Sequence, residues 1–387
     1  MIDIAHLSIE RPIGSKFNTQ ILELIKKEFA NHNYELISLP IKCLYWKRGI
    51  SFLKQGSIKY VLLASPFSSK FSGRGKLIVC SEVSDLEKSE IENNILLLKN
   101  EITQLPVMPK DFPFYFPEEH KKLYETIEKS NPSCIVTLTG KHQMSGLDPY
   151  PFFEDGNFNI PSCYASDKLD LKDINLTEGV EITVDSSTEE RETEQLLLHK
   201  KGNSDEVIVV CAHMDSKYET CGALDNAAGL YALLQIADKL SKIKTKSDIH
   251  IVPFNGEEYY GVSGQLKYLD YLKENDNKIK LVINIDSPGY NGSKNALSFY
   301  NIEEDKIDDI LSNKKYDIEK GVNWYAGDHA MFAFQGLPCI AATSSNLFEK
   351  AISVTHTSKD VLANVNIDLL NRLSEDLIKI ILEFDCK

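Results

Sequence analysis

The sequence predicts an α/β fold: a mostly parallel sheet sandwiched by helices, with a small β-rich inserted domain. In the second half, near-continuous apolar strands at Glu206–Ala212, Ile249–Phe254 and Leu281–Ile285 alternate with helical spacing at Asn226–Leu240 and Gln265–Leu272. Strands apolar at every position are those of a parallel sheet covered on both faces. Between Trp46 and Glu189 the texture changes to short apolar runs separated by Ser, Gly, Pro and Asn clusters. The length, 387 residues at 42% hydrophobic and 26% charged, is enough for two domains with sizeable cores.

Taken in order, Ile21, Leu22, Leu24 and Ile25 form the apolar stripe of a first helix ending near Phe29, and Tyr34–Pro40 reads as extended. Within the insertion, Tyr60–Ala64, Leu77–Cys80, Ile95–Leu98 and Cys134–Leu138 read as strands, interrupted by one helix at Glu118–Lys129. The acidic run Glu189–Glu194 reads as a solvated loop. The end, Ile367–Phe384, is an amphipathic helix with Leu370, Leu373, Leu377 and Ile381 on one face. One domain is therefore expected from residues 1–45 and 190–387, and the insertion from 46–189.

Charge excludes several partners. Lys and Arg number 43 against 57 Asp and Glu, a net charge of −14, which disfavours nucleic acid and anionic lipid alike. Apolar runs such as Val207–Ala212 are far too short to span a bilayer. The first residues, MIDIAHLSIERP, lack the basic end and apolar core of a signal peptide. The expectation is a cytoplasmic protein if the numbering begins at the natural start, and a secreted one if it begins after processing. Oligomeric state is not readable. The eight cysteines form no C-x-x-C pair, so reduced, mostly buried thiols are expected rather than a thiolate metal site.

The chemistry gathers where the strands end. The first strand of the second half runs into His213-Met214-Asp215, and the loop that follows delivers Asp225 just before a helix. Strand Ile249–Phe254 runs into Glu257-Glu258, and Leu281–Ile285 ends in Asp286. Ligands of open α/β sheets bind beyond the carboxyl ends of strands, so these groups should converge. Imidazole and carboxylate ligands of this kind suit a hydrolase with two divalent ions, in which one carboxylate bridges. His213, Asp225 and Asp286 would hold one ion; Asp225, Glu258 and His356 the other. Glu257 is left as the candidate general base toward a water shared by the ions, and Asp215 is placed to orient His213. The remaining histidines, including His32, His199 and His250, show no ligand spacing.

The series A-H-M-D-S, G-A-L-D-N-A-A-G, N-G-E-E, N-I-D-S and H-T-S-K-D resembles the co-catalytic zinc aminopeptidase family that includes bacterial leucyl aminopeptidases and aminopeptidase Y. Arg11-Pro12-Ile13-Gly14-Ser15 is similar to that family's R-x-x-G-S segment. Gly327-Asp328-His329 with Phe332 and Gly336-Leu337-Pro338 is similar to its D-H-x-x-F-x-x-x-G-x-P stretch. The insertion resembles a protease-associated domain through Asn94–Lys99, Cys134–Leu138 and Asn159–Cys163. The resemblance implies an exopeptidase with two zinc ions (cobalt or manganese also suit such ligands) acting on peptides with a free N-terminus. It further implies Asp286 and Glu257 near the substrate amine, and Asp328 and His329 beside the substrate. Three alternatives stay open: a related dipeptidase or carboxypeptidase, a glutaminyl cyclase-like enzyme, and a non-catalytic binding relative.

Overall fold

The computed structural model describes residues 2–312 and 316–386. Two compact units emerge, one from Met1–Cys43 with Arg191–Lys387 and the other from Leu44–Glu190. No described helix is long and apolar enough to cross a membrane.

After the single helical turn Ile4–Leu7 comes the helix Lys16–Phe29, whose N-cap Ser15 accepts the backbone N–H of Asn18 and whose Ile21, Leu22, Ile25 and Phe29 are buried. Strand β1 (Glu35–Arg48) follows, and it is longer than the extended run expected from the sequence.

The second unit is a closed barrel. Its strands are β2 (Ser51–Gln55), β3 (Ile58–Ala64), β4 (Phe71–Cys80), β5 (Ile95–Leu98), β6 (Cys134–Thr139), β7 (Ser162–Ser166) and β8 (Gly179–Val184). They close in the order β2-β3-β7-β6-β5-β4-β8. The helix Glu118–Ser130 buries Leu123, Tyr124 and Ile127 against Phe152, Phe153 and Phe158. Asp155, buried beside that aromatic cluster, is satisfied by the Tyr124 hydroxyl and the backbone N–H groups of Asn157 and Phe158.

The chain then re-enters the first unit through β9 (Ser186–Lys200). The acidic run Glu189–Glu194 is strand, not loop: its side chains are largely exposed, and an exposed strand carries no apolar alternation to betray it. There follow β10 (Glu206–His213), β11 (Asp248–Phe254), β12 (Lys278–Ile285), β13 (Asn295–Tyr300), β14 (Ile318–Lys320) and β15 (Cys339–Ser344). With β1 they make an eight-stranded sheet ordered β1-β9-β11-β10-β12-β15-β13-β14. The pairs β10–β11, β10–β12, β12–β15 and β13–β14 are parallel, whereas β9–β11 and β13–β15 are antiparallel.

Every residue of β11 is buried, so both faces of that strand are covered. The core joins these strands to the helices Lys16–Phe29, Gly229–Leu240 and Ile367–Cys386 through residues such as Ile25, Leu233 and Leu377. Register fixes the site: His213 pairs with Phe254 across β10–β11, and Cys211 pairs with Asn284 across β10–β12. His213, Asp286 and the turn after Phe254 therefore leave three neighbouring parallel strands at the same end.

Candidate metal centre

Two ligand sets share one carboxylate. His213, Asp225 and Asp286 form the first, and Asp225, Glu258 and His356 the second, each with ligand atoms within 4.8 Å of one another. His213 Nε2 lies 3.0 Å from Asp225 Oδ1 and 3.9 Å from Asp286 Oδ1. His356 Nε2 lies 3.2 Å from Asp225 Oδ2 and 2.9 Å from Glu258 Oε1. That last approach is short, yet Glu258 Oε1 is buried without a hydrogen-bond partner. A nitrogen and an oxygen aimed past each other at a common point are arranged as two ligands of one ion.

The Asp225 loop owes its shape to its neighbours. Ala223–Ala228 is a wide turn in which Asp225 and Asn226 leave helical geometry, so the regular helix begins only at Gly229 rather than at Asn226. Asp360 accepts the backbone N–H groups of Leu224 (2.6 Å) and Asp225 (3.1 Å). The Asn226 amide donates to Ile285 O at 2.8 Å, and its carbonyl accepts from Gly229 N at 2.9 Å. This ties the Asp225 loop to the strand end that carries Asp286. A Cβ on Gly229 would fall 2.5 Å from Ile285 O, so only glycine permits the approach.

Asp215 faces both the His213 ring and the turn that follows β11. Its Oδ1 lies 3.6 Å from His213 Nδ1, at ion-pair distance, and its oxygens also accept the backbone N–H groups of Glu257 (3.2 Å) and Glu258 (3.1 Å). It shapes the turn that aims the two glutamates. The Glu257 carboxylate has no hydrogen bond or ion pair among the described residues, whereas Lys217 Nζ lies 3.5 Å from Glu258 Oε2. Of the two residues expected beside the substrate, His329 is fully buried, with Nε2 2.8 Å from Trp324 O and Nδ1 3.3 Å from the Asn284 amide. Both ring nitrogens are used inside the protein, so none is left to offer a substrate. Asp328 accepts from Gln265 Nε2 at 2.8 Å through one oxygen; the other is buried without a hydrogen-bond partner.

The electrostatics are those of a site short of positive charge. Asp215, Asp225, Glu257, Glu258, Asp286, Asp328 and Asp360 crowd around two imidazoles, Lys217 and Arg11. Burial, followed by the Asp225 charge, pushes Asp286 up to about 7, and burial pushes Asp328 up to about 6. Burial likewise raises Glu257 well above the carboxylate range, reinforced by Glu258 and Asp328. Burial alone would pull His213 down, but Glu257, Asp215, Asp225 and Asp286 push it well above its ordinary range. Divalent cations would meet this surplus of negative charge, and the donor set of imidazole and carboxylate suits them.

Residues 196–381 match the family model of peptidase family M28, a stretch that contains both ligand sets. This region belongs to peptidase family M28. The chain is similar to leucine aminopeptidase 2 of Trichophyton equinum, 30% identical over 170 residues, which cover 43% of this chain but 31% of that protein. Aminopeptidase YwaD of Bacillus subtilis is 28% identical over 116 residues, covering 30% of this chain and 25% of that protein. The chain thus spans about a third or less of the length of these relatives. The fold is that of an aminopeptidase from Aneurinibacillus sp. strain AM-1, with TM-score 0.74 at 18% identity over 97% of this chain and 90% of that one. It is also that of BSAP, a zinc aminopeptidase from Bacillus subtilis, with TM-score 0.72 at 16% identity over 98% of this chain and 93% of that one.

Proposed function

We propose that the protein is a zinc aminopeptidase of family M28 that removes the N-terminal residue from peptides. The observation that carries this reading is the pair of adjoining ligand sets meeting at Asp225. His213, Asp225 and Asp286 would hold one zinc ion; Asp225, Glu258 and His356 would hold the other. When bound, two such ions polarise the scissile carbonyl and lower the pKa of the attacking water toward about 7.

Glu257 is the general base in this reading. Its carboxylate is held by the Asp215-braced turn and makes no hydrogen bond or ion pair among the described residues, so it is at liberty to take the proton of the attacking water and return it to the leaving amine. Asp286 and Glu257 present negative charge to the substrate's free amine, and Asp328, anchored by Gln265, adds to it. A peptide with a blocked N-terminus would forfeit that attraction. The barrel Leu44–Glu190 is, in the same reading, a protease-associated-like module.

The test is metal content of the purified protein with hydrolysis of paired amino-acid anilides, free and N-acetylated. Two zinc ions per chain and cleavage of the free series alone are expected. Equal cleavage of both series, or a protein that takes up no metal, refutes the reading.

A further inference from the structure

We infer that Arg11 is a positioning residue of the metal centre, holding His213 and Asp225 at the separation that their shared ion requires by gripping the main chain at both ends of the loop between them. The inference rests on the two-metal reading above, but what it asserts about the loop concerns the metal-free protein too.

Arg11 lies outside the stretch that matches the family model, more than 180 positions before it, and is fully buried. Its Nε donates to Met214 O at 2.7 Å, immediately after His213. Its Nη1 donates to Cys221 O at 2.8 Å and Nη2 to Gly222 O at 3.1 Å, just before the turn that carries Asp225. A fourth bond, from Nη1 to Ile9 O at 3.0 Å, and one from its own backbone N–H to Ser216 Oγ at 2.9 Å, lock the fork to its surroundings. The guanidinium is planar and its donors keep fixed mutual angles, so carbonyls bound to different nitrogens are held at a fixed distance from each other. Gly222 shows how closely the parts fit. At φ +52° it has no room for a side chain: a Cβ would lie 2.5 Å from Asp225 O, 2.7 Å from Ser216 Cβ and 3.3 Å from Arg11 Nη1.

None of those hydrogen bonds goes to a carboxylate. Burying a guanidinium on carbonyls alone is costly, and the nearby charges of Asp215, Asp360, Asp225 and Glu258 offset that cost. This creates a conflict of sign that makes the inference testable. As a charge, Arg11 repels incoming cations, and removing it would tighten zinc binding. As a clamp, it presents ligands already in place, and removing it would weaken zinc binding. The bond geometry assigns it to the clamp.

The experiment uses the full chain, stripped of metal, as parent and as the Arg11→Met and Arg11→Lys variants. Zinc affinity and stoichiometry are measured by competition with a chromophoric chelator, and circular dichroism checks the fold. Both variants are expected to bind zinc at least tenfold more weakly than the parent. Lysine is expected not to rescue, because it restores the charge and not the fork. Unchanged or tighter binding in a folded variant overturns the inference. Should neither variant fold, hydrogen exchange on the metal-free parent decides. Protection of the Leu224, Asp225 and Ala227 amides within about tenfold of the zinc-loaded protein is expected, and free exchange until zinc is added overturns the inference. A parent that binds no zinc refutes the metal reading instead, which the same titration reveals on its own.

Discussion

Two clusters of histidine and carboxylate are built on the same sheet, and they differ in what surrounds the imidazoles. In the middle of the antiparallel pair β9–β11, His199 stands opposite His250. His199 Nε2 is 2.8 Å from Asp248, and His250 Nδ1 is 2.8 Å from the Tyr268 hydroxyl. Asp248 is satisfied further by Lys201 and the backbone N–H of Gly202, and the exposed Glu35 lies 4.0 Å from the other nitrogen of His199. At the carboxyl ends of β10 and β12, by contrast, His213 and His356 are outnumbered by acids, and Glu258 Oε1 is left without a hydrogen bond. The first cluster balances its own charge; the second requires charge from outside. Histidine next to aspartate is thus no sign of a metal centre. An uncompensated surplus of carboxylates where parallel strands end is.

The comparison breaks most decisively under chelation. Stripping divalent ions should abolish peptide hydrolysis, and added zinc should restore it. At a thousandfold excess of zinc over its dissociation constant the folded state gains about 4 kcal/mol, read as a rise in Tm. The balanced cluster predicts no such response, so a variant lacking the His213 imidazole, His213→Ala, should lose most of the rise, whereas His199→Ala should keep it.

Glu257→Gln should come next, lowering kcat by about 10³-fold while both zinc ions stay bound, since only the proton transfer is removed. Near-normal turnover would displace Glu257 from the role of base. Glu258→Ala should do the converse on the metal side, leaving one zinc per chain instead of two as read by atomic absorption.

Most of this contrast was legible in the sequence, and what was not has a common cause. His213, Asp225, Glu258 and Asp286 stood out because near-continuous apolar strands announce where the chain leaves the sheet. Asp360, Asn226 and Arg11 lie inside the motifs that carry the family resemblance, but their tasks are not legible there, because each acts on main-chain groups, and a sequence does not say which carbonyl or N–H a distant side chain will meet. The spacing of Asp215 from His213 points to the imidazole, but not to the second task that its oxygens perform on the backbone of Glu257 and Glu258. In the fold, β13 and β15 are not legible because Ala, Ser, Thr and Asn break up the apolar run in Asn295–Tyr300 and make up most of Cys339–Ser344. The long β9 was hidden by the acids of its exposed half.

The smallest effect sharpens the other side of the comparison. Burial, reinforced by repulsion from His199, pulls the His250 imidazole from 6.5 down to about 3. In the unfolded chain the ring regains its ordinary value and binds a proton that the folded protein refuses. Between those two pH values the unfolded state therefore holds more protons, and stability rises with pH. The contribution is fully present above pH 6.5 and is lost as pH falls toward 3, at about 1.4 kcal/mol for each pH unit in the window. His250→Gln keeps a polar partner for the Tyr268 hydroxyl while removing the titration. Urea melts of the metal-free protein from pH 7 to 4.5 should then show a shallower acid limb in the variant than in the parent, with hydrolysis at neutral pH unaltered. Equal slopes would mean that the buried imidazole already takes up its proton in the folded state, and that the cluster is less self-sufficient than its hydrogen bonds make it.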